Sequence, residues 1–236
     1  MPTINTGNAL GAKVLFAAQP GSSGLPYADD SGAISISANG GATIGTQSSK
    51  LVFQTDPSGS KYFSTTSSPV FADGFTIAAV WTLVSNPGQD STICSVSLDD
   101  TNHWFLGVQQ TFGIWARSRS GGTAGDVVFG SVGAFGTYYT SAAVFESTTA
   151  RRLYHEGSMS SDNTTSVSPS GAGRKIGIGV IMRTTPGQLG AYYIRNLVIF
   201  SGALTEAELD SWMADPDQIY SAAASAPKRA LLLGVG

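Results

Sequence analysis

The sequence predicts an all-β protein, a sandwich or jelly roll, on three observations. Residues that favour exposed helix are scarce: glutamate occurs only at Glu146, Glu156, Glu206 and Glu208, and lysine only at Lys13, Lys50, Lys61, Lys175 and Lys228. Turn and strand formers abound, with 29 glycines and 10 prolines in 236 residues. Apolar residues alternate with period two in segments set apart by turn signals. A chain of this length is routine for one such sandwich.

Taken in order, Val14 to Phe16, Ile34 to Ser37 and Leu51 to Phe53 read as short strands. Phe75 to Val84 alternates over a longer run and is apolar on both faces, which predicts a central strand covered on both sides. Trp104, Leu106 and Val108 form the next alternating face, and Cys94 falls in a strand before them. Phe112 to Arg117, Tyr138 to Phe145, Arg151 to Tyr154, Ile176 to Val180 and Gly190 to Phe200 complete the strands. Asn39-Gly40-Gly41, Asp56-Pro57-Ser58-Gly59, Asn86-Pro87-Gly88, Gly121-Gly122 and Thr185-Pro186-Gly187 supply turns between them. One short helix is expected over 205–213. Thr205 and Glu208 form a capping box, Leu204 and Leu209 a hydrophobic staple, and Asp215-Pro216 a stop. This helix is expected against the end of the sandwich, closing a domain over 1–213.

Composition removes several function classes. Hydrophobic residues are 42% and charged residues 12%, which supplies a core and argues against bulk disorder. The net charge of −3 argues against duplex nucleic acid as the main ligand. No apolar run approaches a membrane span, and the first residues lack the pattern of a secretory signal. Cys94 is alone, so neither an internal disulfide nor a cysteine-based metal site is expected.

The residues that carry chemistry are few. There is no G-x-S-x-G elbow, and Cys94 reads as a small buried hydrophobe. Gly171-Ala172-Gly173-Arg174-Lys175-Ile176-Gly177 leads into a strand and reads as a hairpin loop rather than a phosphate cradle. His103 and His155 lack metal-ligand spacing. Asp99-Asp100-Thr101-Asn102 and Asp29-Asp30-Ser31 offer oxygen atoms, but ordinary Asx-turn chemistry accounts for both, so no metal and no cofactor are expected. Glycoside hydrolysis needs two opposed carboxylates, and no strand carries acidic residues at alternate positions. No catalytic residue is therefore expected, and the chain reads as a non-enzyme. Trp104, Tyr138, Tyr139, Tyr192 and Tyr193 sit on alternating strands and read as core or half-core. Trp115, Arg117 and Arg119 form the most surface-like aromatic cluster and are the candidate glycan-binding residues.

The order of the segments carries a resemblance. Phe75-Thr76-Ile77-Ala78-Ala79-Val80-Trp81, the earlier Ala28-Asp29-Asp30-Ser31-Gly32 turn and the hairpin from Ala142-Ala143-Val144-Phe145-Glu146 to Arg152-Leu153-Tyr154-His155-Glu156-Gly157 resemble laminin-G-like, concanavalin A-like lectin jelly rolls. Lys175-Ile176-Gly177-Ile178-Gly179 and Gly190 to Leu209 continue the resemblance, which spans about residues 10–213. It implies two antiparallel sheets of about six or seven strands each. It implies fold more than function, since such jelly rolls serve as lectins, glucanases, adhesion modules and virion proteins.

After Tyr220 the character changes. Ser221 to Ala226 reads as a linker, followed by Lys228-Arg229 and the apolar Ala230-Leu231-Leu232-Leu233-Gly234-Val235-Gly236. This end reads as a frayed terminus, as a last strand on its own sheet, or as an arm that docks on another subunit through Lys228, Arg229, Leu231, Leu232, Leu233 and Val235. Asp215-Pro216-Asp217-Gln218-Ile219-Tyr220 with this end resembles the ending of tailed-bacteriophage virion proteins of the same jelly roll, although Asp217 stands where those carry an aromatic. The resemblance implies a capsid decoration or cement protein of the virion, assembled in a bacterial cytoplasm. Its implied partners are the major capsid protein and further copies of itself, clamped through residues 1–10 and 214–236. The alternative is a glycan-binding receptor or adhesion module on a tail or head fibre.

Overall fold

The structure, a computed structural model, describes residues 3–20, 27–28, 34–68, 74–86, 88–170 and 175–220, with backbone alone at 27–28. Its strands are, in order, β1 (Val14–Ala18), β2 (Tyr27–Ala28), β3 (Ser35–Asn39), β4 (Thr43–Gln47) and β5 (Lys50–Gln54). There follow β6 (Tyr62–Thr65), β7 (Phe75–Leu83), β8 (Ser91–Ser97), β9 (His103–Val108), β10 (Gly113–Ser120) and β11 (Thr123–Ser131). The last are β12 (Tyr139–Ser147), β13 (Ala150–His155), β14 (Ser158–Met159), β15 (Lys175–Ile178) and β16 (Tyr192–Ser201), then helix α1 (Glu206–Ala214).

The strands pair antiparallel into two eight-stranded sheets. The first runs β14-β13-β12-β7-β16-β5-β4, with β1 also pairing with β16. The second runs β11-β10-β9-β8-β15-β6-β3-β2. Each sheet thus exceeds the expected six or seven strands. The additional strands include β4, β6 and β11, whose threonines, serines and glycines blur the alternation that marks a buried face.

Period two explains the layers. Ile77, Ala79 and Trp81 of β7 point into the core between the sheets, with Phe53, Phe63, Leu106, Ile176 and Ile199. Ala78 and Val80 point outward, beneath a second apolar cluster of Leu204, Leu209, Trp212 and Ile219. This double cover is why β7 is buried at every position.

The helix is capped as expected: Thr205 accepts from the Glu208 amide, and the Glu208 carboxylate accepts from the Thr205 amide. Its place differs from expectation. It lies on the outer face of the first sheet rather than at the end of the sandwich, with Trp212 edge-on to Phe200 at 6.2 Å. The uncovered apolar face of β7, β12 and β16 is the reason.

The same cluster extends along the chain at both ends. The folded unit continues past residue 213 to Tyr220, because Ile219 is fully buried in the same cluster. Residues 3–10, the possible N-terminal arm, contact this unit. Ile4 bridges Tyr220, the Asn5 amide donates to the Ile219 carbonyl at 2.7 Å, and Leu10 packs under the helix. The arm residues Lys228, Arg229, Leu231, Leu232, Leu233 and Val235 lie outside the described residues, as do Asp29-Asp30-Ser31 and Gly171 to Arg174.

Candidate functional site

Among the described residues, no helix lies over the outer face of the second sheet. Two side-chain ladders cross it, set by strand register. One runs Lys175, Ser97, His103, Arg119 over β15, β8, β9 and β10. The next runs Gly177, Ser95, Phe105, Arg117, Asp126 and ends on β11. The three residues predicted to bind glycan, Trp115, Arg117 and Arg119, share this face, since alternation on β10 sends Ile114 and Ala116 to the core.

Trp115 is not the exposed platform the sequence suggested. It is only 2% exposed, edge-on to Phe105 at 4.7 Å, with Ile181 completing the cluster. Arg117 lies over it, the guanidinium carbon 4.2 Å from the ring centre, and forks onto Asp126 with bonds of 2.6 and 2.7 Å. Arg119 is half-buried and its Nε donates to the Gly121 carbonyl. Of the other aromatics, Tyr139 and Tyr192 are buried, while Trp104, Tyr138 and Tyr193 are half-buried.

A strap from Val180 to Thr184 crosses this face. Ile181 and Gly187 exchange backbone bonds that close its base. It runs so near β15 that a Cβ on Gly177 would stand 2.6 Å from the Val180 carbonyl oxygen, so only glycine fits there. The Ser95 hydroxyl donates to the same carbonyl. At the strap's tip, the Thr184 amide donates to Asp100 in the β8–β9 turn.

Between strap and turn lies an open cleft of about 550 Å³, with Ser97, Asp99, Asp100, Lys175, Arg183 and Thr184 among its lining residues. Asp99 accepts from the Thr101 and Asn102 amides and from both their side chains. The Thr101 amide, then the Asn102 side chain, hold its carboxyl below the usual carboxylate range. This is the Asx-turn chemistry expected for the loop.

Beside the cleft, His103 is fully buried and stacked on Phe105, and neither ring nitrogen has a partner among the described residues. Burial, then the charges of Arg183, Arg119 and Arg117, push its pKa down to about 3. Arg183 is pushed down by burial and by Arg119, with Asp100 opposing, and its Nε has no partner among the described residues. Sequence reasoning missed Lys175, Arg183, Ser97 and His103 as a group. Alternation places 103 and 105 opposite Trp104 and Leu106, but the strap that brings Arg183 to them is a long-range feature without a local signature.

Elsewhere the chemistry is structural. Burial pushes the Cys94 thiol up, which makes it a poor nucleophile. His155 Nδ1 meets the Ser141 hydroxyl at 2.9 Å, and that hydroxyl accepts from Trp81, all within buried packing. Among the described residues, no group of three His, Cys, Asp or Glu comes together to hold a metal ion.

Two stacked antiparallel sheets, a capped helix after the last long strand and the order of the segments agree with a sequence family. The family described as the concanavalin A-like lectin/glucanases superfamily matches residues 57–210. The chain belongs to this superfamily. Solved structures of similar fold include the receptor binding domain of botulinum neurotoxin D, with a TM-score of 0.68 at 13% identity over 86% of this chain and 52% of that one. The binding domain of botulinum neurotoxin DC, in complex with rat synaptotagmin II, gives 0.65 at 12% identity over 87% and 52%. The binding domain of Paraclostridial Mosquitocidal Protein 1 gives 0.67 at 11% identity over 86% and 52%. This chain therefore spans about half the length of these structures, and at such identity the likeness to them is one of fold. No curated protein sequence matches it.

Proposed function

We infer that this chain is a non-enzymatic recognition module that takes a saccharide in the cleft between the strap and the β8–β9 turn. The observation that carries this reading is the cleft itself. Its volume of about 550 Å³ falls in the range of small-ligand sites, and hydroxyl and charged groups line it. The structures of similar fold are themselves binding domains. One belongs to botulinum neurotoxin type C, which depends on interaction with two ganglioside molecules to enter cells, and another is in complex with synaptotagmin. Hydrolysis is disfavoured because it needs a carboxyl held protonated, whereas Asp99 is held ionised by its turn. The test is titration of the protein with neutral and acidic oligosaccharides, followed by amide NMR. Saccharide-dependent shifts at Thr101, Thr184 and Lys175 are expected; shifts confined to another face would refute the site.

A second reading, the capsid decoration protein, has its own support. The sequence of 228–235 pairs a basic dipeptide with an apolar run. Tyr220, which precedes it, sits on the outer face of the first sheet, on the side away from the cleft. Attachment through that side leaves the cleft free. Cosedimentation with empty capsids, comparing the full chain with a version ending at Tyr220, tests this: binding by the full chain alone supports it, and binding by neither refutes it.

A further inference from the structure

We propose that the cleft contains an oxyanion subsite, which takes the carboxylate or sulfate of an acidic saccharide between Lys175 and Arg183. The proposal rests on the saccharide reading above and names the ligand class.

The cleft is lined by two cations, Lys175 and Arg183, and by two carboxylates, Asp99 and Asp100, each tied to backbone amides. Arg117 is neutralised by Asp126. Asp99 is occupied by its own turn and Asp100 accepts from the strap. Lys175 and Arg183 take part in no salt bridge among the described residues. Both line the cleft with Ser97: Lys175 from the neighbouring strand, beside it in register, and Arg183 from the strap. In a chain of net charge −3 this face gathers Arg117, Arg119, Lys175 and Arg183 around three carboxylates, Asp126, Asp99 and Asp100.

The second observation concerns unpaired polar atoms. His103, next in the ladder after Ser97, is fully buried with both ring nitrogens unpartnered, and the Nε of Arg183 is an orphan donor as well. Buried polar atoms are nearly always paired, and an orphan at a functional site calls for a reason. An oxyanion in the cleft supplies one for Arg183, which lines it. It offers an acceptor to the Arg183 guanidinium, beside the buried His103 ring. Two flexible cations and one cleft suit a single anionic group on a sugar rather than a polyanion.

The test uses the full chain and three probes at low salt: a glucuronate-ended disaccharide, its neutral glucose-ended counterpart, and inorganic sulfate. The acidic disaccharide is expected to bind about tenfold tighter than the neutral one, the worth of one charge-assisted contact. Arg183→Gln and Lys175→Gln should each remove most of that preference, while Lys50→Gln, on the other sheet, should leave it. His103 ring signals should move with the acidic probe. Equal binding of both disaccharides, unchanged in Arg183→Gln and Lys175→Gln, overturns the subsite and leaves the saccharide reading standing. Sulfate binding that depends on Arg183, without either sugar, keeps the subsite and removes the saccharide reading. Binding of no probe removes both.

Discussion

The Arg117 guanidinium lies 4.2 Å from the centre of the Trp115 ring and forks onto Asp126 across the β10–β11 pair. A residue triplet that reads in sequence as an exposed aromatic flanked by cations is in fact a roofed one. The cation is the roof, and the acidic residue that fixes it comes from a strand without strong alternation. The indole therefore offers no open platform on this face.

Removing the roof should be visible. Arg117→Ala exposes Trp115 and strands Asp126, and the expected cost is about 1 kcal/mol, since the pair is partly exposed. Tryptophan emission should shift to the red, and the shift should vanish in a Trp115→Phe background. Arg117→Lys should recover less than half the loss, because an ammonium cannot fork or stack as a guanidinium does. Urea unfolding followed by fluorescence measures both effects; unchanged emission in Arg117→Ala would show that the stack does not shield the ring.

The sandwich was readable from β7 alone in outline. A long run that is apolar on both faces requires cover on both sides, and the core and the helix layer provide it. The capping box located α1 because its partners sit three residues apart. The candidate site was readable only in part. Trp115, Arg117 and Arg119 share a face by local alternation, whereas Lys175, Ser97 and His103 join them through pairing of β15, β8, β9 and β10, and Arg183 through the strap. Register between distant strands has no local code. Neither does the burial of Trp115, which depends on Ile181 arriving from the strap.

Glycine at 125 is expected to be indispensable. A Cβ there would stand 1.8 Å from Nη1 of Arg151. That side chain cannot swing aside at little cost. It is 1% exposed, its Nη1 donates to Asn163, and its Nη2 donates to the Thr148 and Thr165 carbonyls. Gly125→Ala should therefore cost about 2–3 kcal/mol through overpacking and broken bonds. Gly122→Ala, where a Cβ meets nothing within 4 Å, is the control. Thermal melts compare the two, and equal melting temperatures would mean that Arg151 is free to move.

Thr205→Ala should lower stability by about 1 kcal/mol, the usual worth of an N-cap hydroxyl. The reason is specific: the Glu208 amide loses its acceptor. Thr205→Ser should restore most of the loss. Because α1 covers β7 and β16, fraying its first turn should also increase amide exchange at Leu209 and Trp212. Loss of stability without faster exchange there would place the effect outside the helix.

Acid should weaken the fold well before its carboxylates protonate. His103 is neutral in the fold, its pKa pushed down to about 3 by burial and by Arg183, Arg119 and Arg117, with Asp99 opposing. In the unfolded chain an imidazole takes a proton below about pH 6.5. Its contribution is therefore complete above that pH and declines as pH falls from there toward 3, because protons then favour the unfolded chain. Buried His155 is shifted the same way. Asp99 and Glu208 are lowered carboxylates, so they add acid sensitivity only below the ordinary carboxylate range. Between pH 7 and 5 the histidines dominate, and the loss assigned to His103 is about 2 kcal/mol. Urea midpoints across this range should fall in the parent chain and fall less in His103→Gln. Parallel slopes in the two would show that the ring is protonated in the fold, beneath three arginines, and would require a counter-anion beside it.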